Sequence, residues 1–153
     1  LHTNDAPSAV SRLYKMGIEP FLIAYAINLI VAQRLVRKLC TKCKKRVINF
    51  DEGLMAAAEL NIADWRNYTI YQAAGCEECN GTGYKGRIAI HEALYFTKEL
   101  RQLIVKSGGD VDEESLRLQA RKDGSQNLRD AGLEKVKMGL TSIEEVLAGT
   151  SDS

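Results

Sequence analysis

The chain has 153 residues, of which 45% are hydrophobic and 27% charged, and its formal net charge is +1. This is the composition of a folded globular protein, and two prolines and twelve glycines exclude collagen-like and proline-rich classes. The near-neutral total excludes a generally basic nucleic-acid protein, though not a local basic patch.

The sequence opens at Leu1 without an initiator methionine or a signal segment, which suggests a piece of a longer protein. Leu1-His2-Thr3 reads as the end of a strand, and Asn4-Asp5-Ala6-Pro7 as a turn into a helix over residues 8–15, with Gly17 at its C-terminal end. Pro20 then opens a helix expected to run to about Leu39. Its block from Phe21 to Ala32 is apolar almost all round. A membrane span needs about 20 such residues, so the expectation is a buried core helix with one end emerging into water.

Residues 51–60 are weakly helical, 62–68 suit a second short helix, and 68–73 suit an extended segment. Residues 75–86 are dense in turns, and 87–94 alternate as a strand. Helices then follow over 98–105, capped by Thr97, and over 112–122, 128–138 and 143–147. Thr141 or Ser142 caps the last of these, with Thr141 and Glu144 as a candidate capping box. These helices read as a small bundle of their own. Only one central strand is clear, so a whole doubly wound domain is not expected.

All four cysteines fall in two pairs, Cys40-Thr-Lys-Cys43 and Cys76-Glu-Glu-Cys79. A two-residue gap lets both thiolates of a pair reach one ion from a tight turn, and two such turns supply four tetrahedral ligands at about 2.3 Å. Structural zinc fits best, since four protein ligands leave no open position for catalysis. An iron–sulfur cluster, disulfides and four unrelated thiols are the alternatives. The metal would close a loop with little core of its own.

Arg34, Arg37, Lys38, Lys42, Lys44, Lys45 and Arg46 place seven cations in thirteen residues, while the rest of the chain is net −6. They can offset the charge of a four-thiolate zinc ion, contact a subunit or nucleotide, or bind nucleic acid or lipid. Aromatics are not interleaved with them, which weakens a nucleic-acid track. Of the two histidines, His2 suits a hydrogen-bonded structural role or, at a strand end, a ligand contact, and His91 reads as a packed or pairing residue. No GxxxxGK[ST] phosphate loop, HExxH or GxSxG motif occurs.

Several stretches together resemble the C-terminal part of the secretion ATPase superfamily, the hexameric P-loop motors of type II secretion and type IV pilus assembly. They are residues 1–6, with the family's histidine box; 16–21; 32–40, with the first cysteine pair; 75–87, with the second; and 131–136 and 139–146 near the end. Ala89 and Ser125-Gln126-Asn127 depart from the family pattern without touching a ligand position.

The resemblance implies a mostly helical α/β fold, the rear part of a RecA-like P-loop ATPase domain with a zinc-binding lobe and a C-terminal helical subdomain. The implied divisions are 1–39 in the ATPase domain, 40–86 in the cysteine lobe, 87–96 as a returning strand, 97–148 as the helical subdomain and 149–153 as a frayed tail. His2 would sense the γ-phosphate, and Arg34 and Arg37 are candidates for nucleotide or subunit contact. Cys40, Cys43, Cys76 and Cys79 would hold zinc. The parent would use ATP and magnesium, form a homo-hexamer, and drive a platform protein at the cytoplasmic face of the bacterial inner membrane. Pilus assembly is preferred, with type II secretion as the alternative. No transmembrane segment and no nucleic-acid partner are expected, and the fragment alone, without the phosphate loop, is expected to be inactive. A zinc-dependent protein- or nucleic-acid-binding module is the rival reading. One cysteine repeat of residues 76–83 also resembles a zinc-binding co-chaperone.

Overall fold

Helix α1, Ala6–Lys15, begins where the Asp5 carboxylate accepts the Ser8 N–H at 2.9 Å, with Pro7 in the first turn. The computed structural model describes residues 5–108 and 111–151, so His2 and its expected strand lie outside the described residues. Gly17, at φ +88°, turns the chain after α1, and α2 follows as Pro20–Ala26.

Here the structure departs from the single helix expected over residues 20–39. The backbone becomes extended at Ile27, and Leu29–Leu39 is strand β1. Ala32 and Val36 are buried, whereas Leu29, Val31 and Leu35, at odd-numbered positions of the strand, are exposed. That is the two-residue period of a strand with one covered face. Leu, Ala, Arg, Gln and Lys in this segment favour helix locally, but pairing with a distant strand overrides that preference.

Strand β2 is Lys45–Arg46, helices α3 and α4 are Glu52–Ala57 and Ile62–Trp65, and β3 is Tyr71–Gln72. Strand β4, Tyr84–Tyr95, is longer than expected, and helices α5 (Lys98–Ser107), α6 (Glu113–Lys122), α7 (Leu128–Lys137) and α8 (Ile143–Thr150) complete the order. Thr97 caps α5 as expected, and Asp112, expected as the first residue of its helix, caps α6 instead. Strand β1 pairs with β4, and β2 pairs antiparallel with β3. The protein is thus a small, mostly helical α/β structure, and among the described residues no helix is long and apolar enough to cross a membrane.

The chain divides into two compact units, Leu1–Gln33 with His91–Leu128, and Arg34–Ile90 with Arg129–Ser153. In the first, α2 packs on α5 and α1 on α6, around buried Val10, Ile23, Leu94, Leu100, Ile104 and Leu116. Arg101 closes the end of α2 by donating to the Ala24 carbonyl and, at 3.1 Å, to that of Ile27. The buried Glu92 carboxylate accepts the Ala6 N–H at 2.7 Å and the Leu128 N–H at 3.2 Å, at the first residues of two helices. His91, expected as a packed or pairing residue, is on β4 and is exposed, so it is not packed.

In the second unit, Met55, Trp65, Ile70, Leu133, Val136, Ile143 and Val146 form one core cluster. The insertion between the cysteine pairs therefore rests on α7 and α8, instead of lacking a core of its own. The helices expected to form one subdomain over residues 97–148 are also divided. Helices α5 and α6 bury their apolar faces in the first unit, while α8 and all of α7 beyond Leu128 do so in the second. The capping box of Thr141 with Glu144 is not formed: Ser142 caps α8, accepting the Glu145 N–H at 3.1 Å, and Thr141 donates to the Arg37 carbonyl at 2.8 Å.

Candidate metal centre

The cysteine pairs lie 32 residues apart in sequence, and two strand pairings bring them together. The chain enters the first pair from β1 and leaves the second into β4, and the Cys40 N–H donates to the Gly83 carbonyl at 2.9 Å. It leaves the first pair into β2 and approaches the second from β3, joined in the register Lys45 with Gln72 and Arg46 with Tyr71. Each turn is thus held on both sides.

Local chemistry shapes each turn. In the first, the Lys44 N–H reaches the Cys40 carbonyl at 3.0 Å. In the second, the Gly81 N–H reaches the Cys76 carbonyl at 2.8 Å, with Asn80 and Gly81 both at positive φ. The Thr82 hydroxyl donates to the Cys79 carbonyl at 2.7 Å. Gly83, at φ +83°, is required twice over, because a Cβ there would lie 2.6 Å from that of Ala73.

The four Sγ atoms all lie within 4.8 Å of one another, and the Cys40–Cys76, Cys43–Cys79 and Cys76–Cys79 pairs are each 3.8 Å apart. A tetrahedron whose corners are about 2.3 Å from its centre has edges of about 3.8 Å, so the sulfurs fit a single tetrahedral ion such as zinc. The cysteines are free, at separations far beyond a bonded pair of about 2.05 Å, which sets the disulfide alternative aside. Sulfurs this close leave no room for a multi-iron cluster between them.

Backbone N–H groups point at two of the sulfurs. Burial pushes the Cys79 thiol up, but donors from Cys76 at 3.2 Å and Gly83 at 3.1 Å outweigh it and bring the thiol to about 6. The Gly75 N–H pulls the Cys43 thiol down, yet burial and the neighbouring thiols raise it to about 11. Four sulfurs this close cannot all ionise without a cation among them. A bound zinc ion would supply that charge and a fixed four-way crosslink.

Around the centre, Lys44 donates to the Gly139 carbonyl at 3.0 Å and stands 4.3 Å over the Tyr71 ring. Lys85 pairs with Glu78 at 3.0 Å. Arg37, a candidate for nucleotide contact, is bound to Glu145 and lies 4.2 Å over the Tyr84 ring. The Tyr84 hydroxyl shares a 2.7 Å hydrogen bond with Ser142. Sequence reasoning missed Tyr84, Gly139, Ser142 and Glu145 as partners of this region, since no local signal links residues so far apart in the chain. Arg34 is half-buried within β1. Among the described residues, the structure brings the four cysteines together.

Comparison with known proteins places these features in a lineage. The Type II/IV secretion system protein family matches residues 1–148. The chain is 44% identical over 153 residues to the type IV pilus assembly ATPase PilB of Myxococcus xanthus, covering 99% of this chain and 26% of that protein. It is 45% identical over 152 residues to PilB of Thermus thermophilus, covering 98% of this chain and 16% of that protein. It is 40% identical over 153 residues to the type II secretion system ATPase E of Vibrio cholerae, covering 100% of this chain and 29% of that protein. The chain thus spans less than a third of the length of these relatives, and it belongs to the Type II/IV secretion system protein family.

Proposed function

We propose that this chain is the C-terminal part of an ATP-hydrolysing motor that powers type IV pilus assembly. The observation that carries the reading is similarity along nearly the whole of this chain to part of secretion-system ATPases, joined to a four-sulfur centre of tetrahedral dimensions. In this reading residues 1–39 are the rear of a RecA-like domain, and Cys40, Cys43, Cys76 and Cys79 hold a structural zinc ion. His2 is a γ-phosphate sensor. Arg34 and Arg37 are candidates for subunit or nucleotide contact, Arg37 from a position held by Glu145. The parent is a homo-hexamer that binds ATP and magnesium, works on the cytoplasmic face of the inner membrane, and moves a platform protein there.

The chain holds no phosphate loop, so it does not hydrolyse ATP alone. Phosphate release is the test: the full-length parent turns over ATP and the 153-residue chain does not. Robust magnesium-dependent turnover by the pure chain, or none by the parent hexamer, would refute the reading. Type II secretion is the second reading, favoured by the Vibrio cholerae relative. Deleting the parent gene separates them, since pilus assembly predicts loss of surface pili with exoprotein release intact.

A further inference from the structure

The Asp5 carboxylate divides its two oxygens between a near and a far partner. Oδ1 caps α1, accepting the Ser8 N–H at 2.9 Å and the Ser8 hydroxyl. Oδ2 accepts from Arg117 on α6, from Nη2 at 2.8 Å and from Nε at 3.2 Å, across 112 positions of sequence. An N-cap needs only one side-chain oxygen, so the helix can start without Arg117. The next N–H, that of Ala6, is taken independently by the buried Glu92 carboxylate.

What Arg117 adds is orientation. A carboxylate bonded through one oxygen can still swing, whereas one held at both oxygens is fixed. Burial pushes the Asp5 carboxyl up, but the Ser8 and Arg117 bonds outweigh it and hold it below its ordinary value. Arg117 is itself steadied by Glu113 at 3.2 Å, one turn earlier on α6, with Glu114 at 4.0 Å. Both members of the Asp5–Arg117 pair are partly exposed, so the pair contributes little to stability, and its consequence is geometric. Asp5 stands three residues after His2 in the sequence, at the end of the segment to which the motor reading gives phosphate sensing.

We propose that Arg117 is a positioning residue for ATP turnover, acting through Asp5 on the segment that carries His2. The proposal rests on the motor reading and on the role of His2 within it, and it adds α6 to the parts that set the rate. If Arg117 merely ties α6 to α1, its loss lowers stability, and any loss of rate adds to that caused by removing His2.

The test is a double-mutant cycle in the full-length parent, written in the numbering of this chain. Arg117→Gln is expected to lower kcat by on the order of tenfold to a hundredfold, the penalty of a displaced reacting group. KM for ATP stays within about twofold, because nucleotide binding is not touched. Arg117→Lys, which keeps the charge and one bond to Asp5, recovers part of the rate. In a His2→Ala background, Arg117→Gln costs little more, since both changes remove one function. Glu113→Gln leaves the rate near wild type. Thermal melting and hexamer size accompany each variant. If Arg117→Gln does not assemble, Asp5→Asn decides by the same cycle, since it keeps a good cap and weakens only the Arg117 bonds. Unchanged kcat, a loss that adds fully to that of His2→Ala, or a His2→Ala parent with normal turnover overturns the proposal. Each of these outcomes leaves a wild-type parent that hydrolyses ATP, so the motor reading stands; no turnover by the wild-type parent refutes that reading and the proposal with it.

Discussion

Arg37 and Glu145 are joined by a forked ion pair, although 108 positions separate them. The Arg37 side chain donates from Nε and Nη2 at 3.0 to 3.1 Å, and its backbone N–H reaches the same carboxylate at 2.7 Å. The pair fastens the start of α8 to β1, next to the first cysteine turn. A cation whose sequence position suggested a nucleotide or a neighbouring subunit is committed within its own unit.

Glu145→Gln should therefore destabilise the chain by about 1 kcal/mol, a modest figure because Arg37 is half exposed. Burial raises the Glu145 carboxyl, but the Arg37 hydrogen bonds outweigh it and hold the pKa below the ordinary carboxylate range. A depressed pKa means stability present above the unfolded value and lost as pH falls through the folded one. Urea unfolding across acid pH should show the wild type losing this increment, and Glu145→Gln lacking it throughout.

Glu92 has the opposite sign. Burial raises its carboxyl despite the Ala6 and Leu128 donors, so its contribution is full below the unfolded pKa and declines as pH rises through the folded one. Glu92→Ala leaves two helix-start N–H groups without their acceptor, at about 1–3 kcal/mol each. Glu92→Gln keeps one good acceptor and should cost about half as much, with a flatter stability profile toward neutral pH. Urea midpoints for both variants, from acid to neutral, check this.

The sulfur geometry gives a stoichiometry. Metal analysis should find about one zinc per chain, and chelation should loosen the cysteine turns while the first unit keeps its helices. Zinc affinity should fall progressively as pH drops and more steeply below about 6, where the Cys79 thiolate also takes up its proton. Cys79→Ser should lower affinity the most of the four, since its sulfur alone accepts two backbone N–H bonds. Competition titrations with a chromophoric chelator measure all of these.

Two glycines of the second turn should separate backbone strain from crowding. Gly81 and Gly83 both have positive φ, but nothing lies within 4 Å of a Cβ at Gly81, whereas at Gly83 it strikes Ala73. Gly81→Ala should cost about 1–2 kcal/mol. Gly83→Ala should add about 1–3 kcal/mol of overpacking, displace the Cys40 to Gly83 hydrogen bond, and weaken zinc binding. Denaturation midpoints and zinc titrations of the two variants are the comparison.

The grouping of four cysteines able to hold one metal ion, the cap at Thr97 and the turn at Gly17 were legible in the sequence. Each rests on neighbours a few residues apart, whose side chains satisfy adjacent backbone groups or share one ion. Strand β1 was not legible, because its local propensities favour helix and its partner β4 begins 45 positions after it ends. The division of the late helices between two units was hidden too, since each is amphipathic whichever core it covers.

The opening count of +1 is the clearest case of the difference. The sequence by itself determined that seven cations crowd the first cysteine pair, because charge and spacing are properties of the chain alone. Only the tertiary structure decided which of them are spent within the fold, as Arg37 and Lys44 are, and which stand exposed, as Lys42, Lys45 and Arg46 do. The physical reason is that an ion pair needs its partner at about 3 Å, and that partner comes from wherever the sheet and helices bring the chain back.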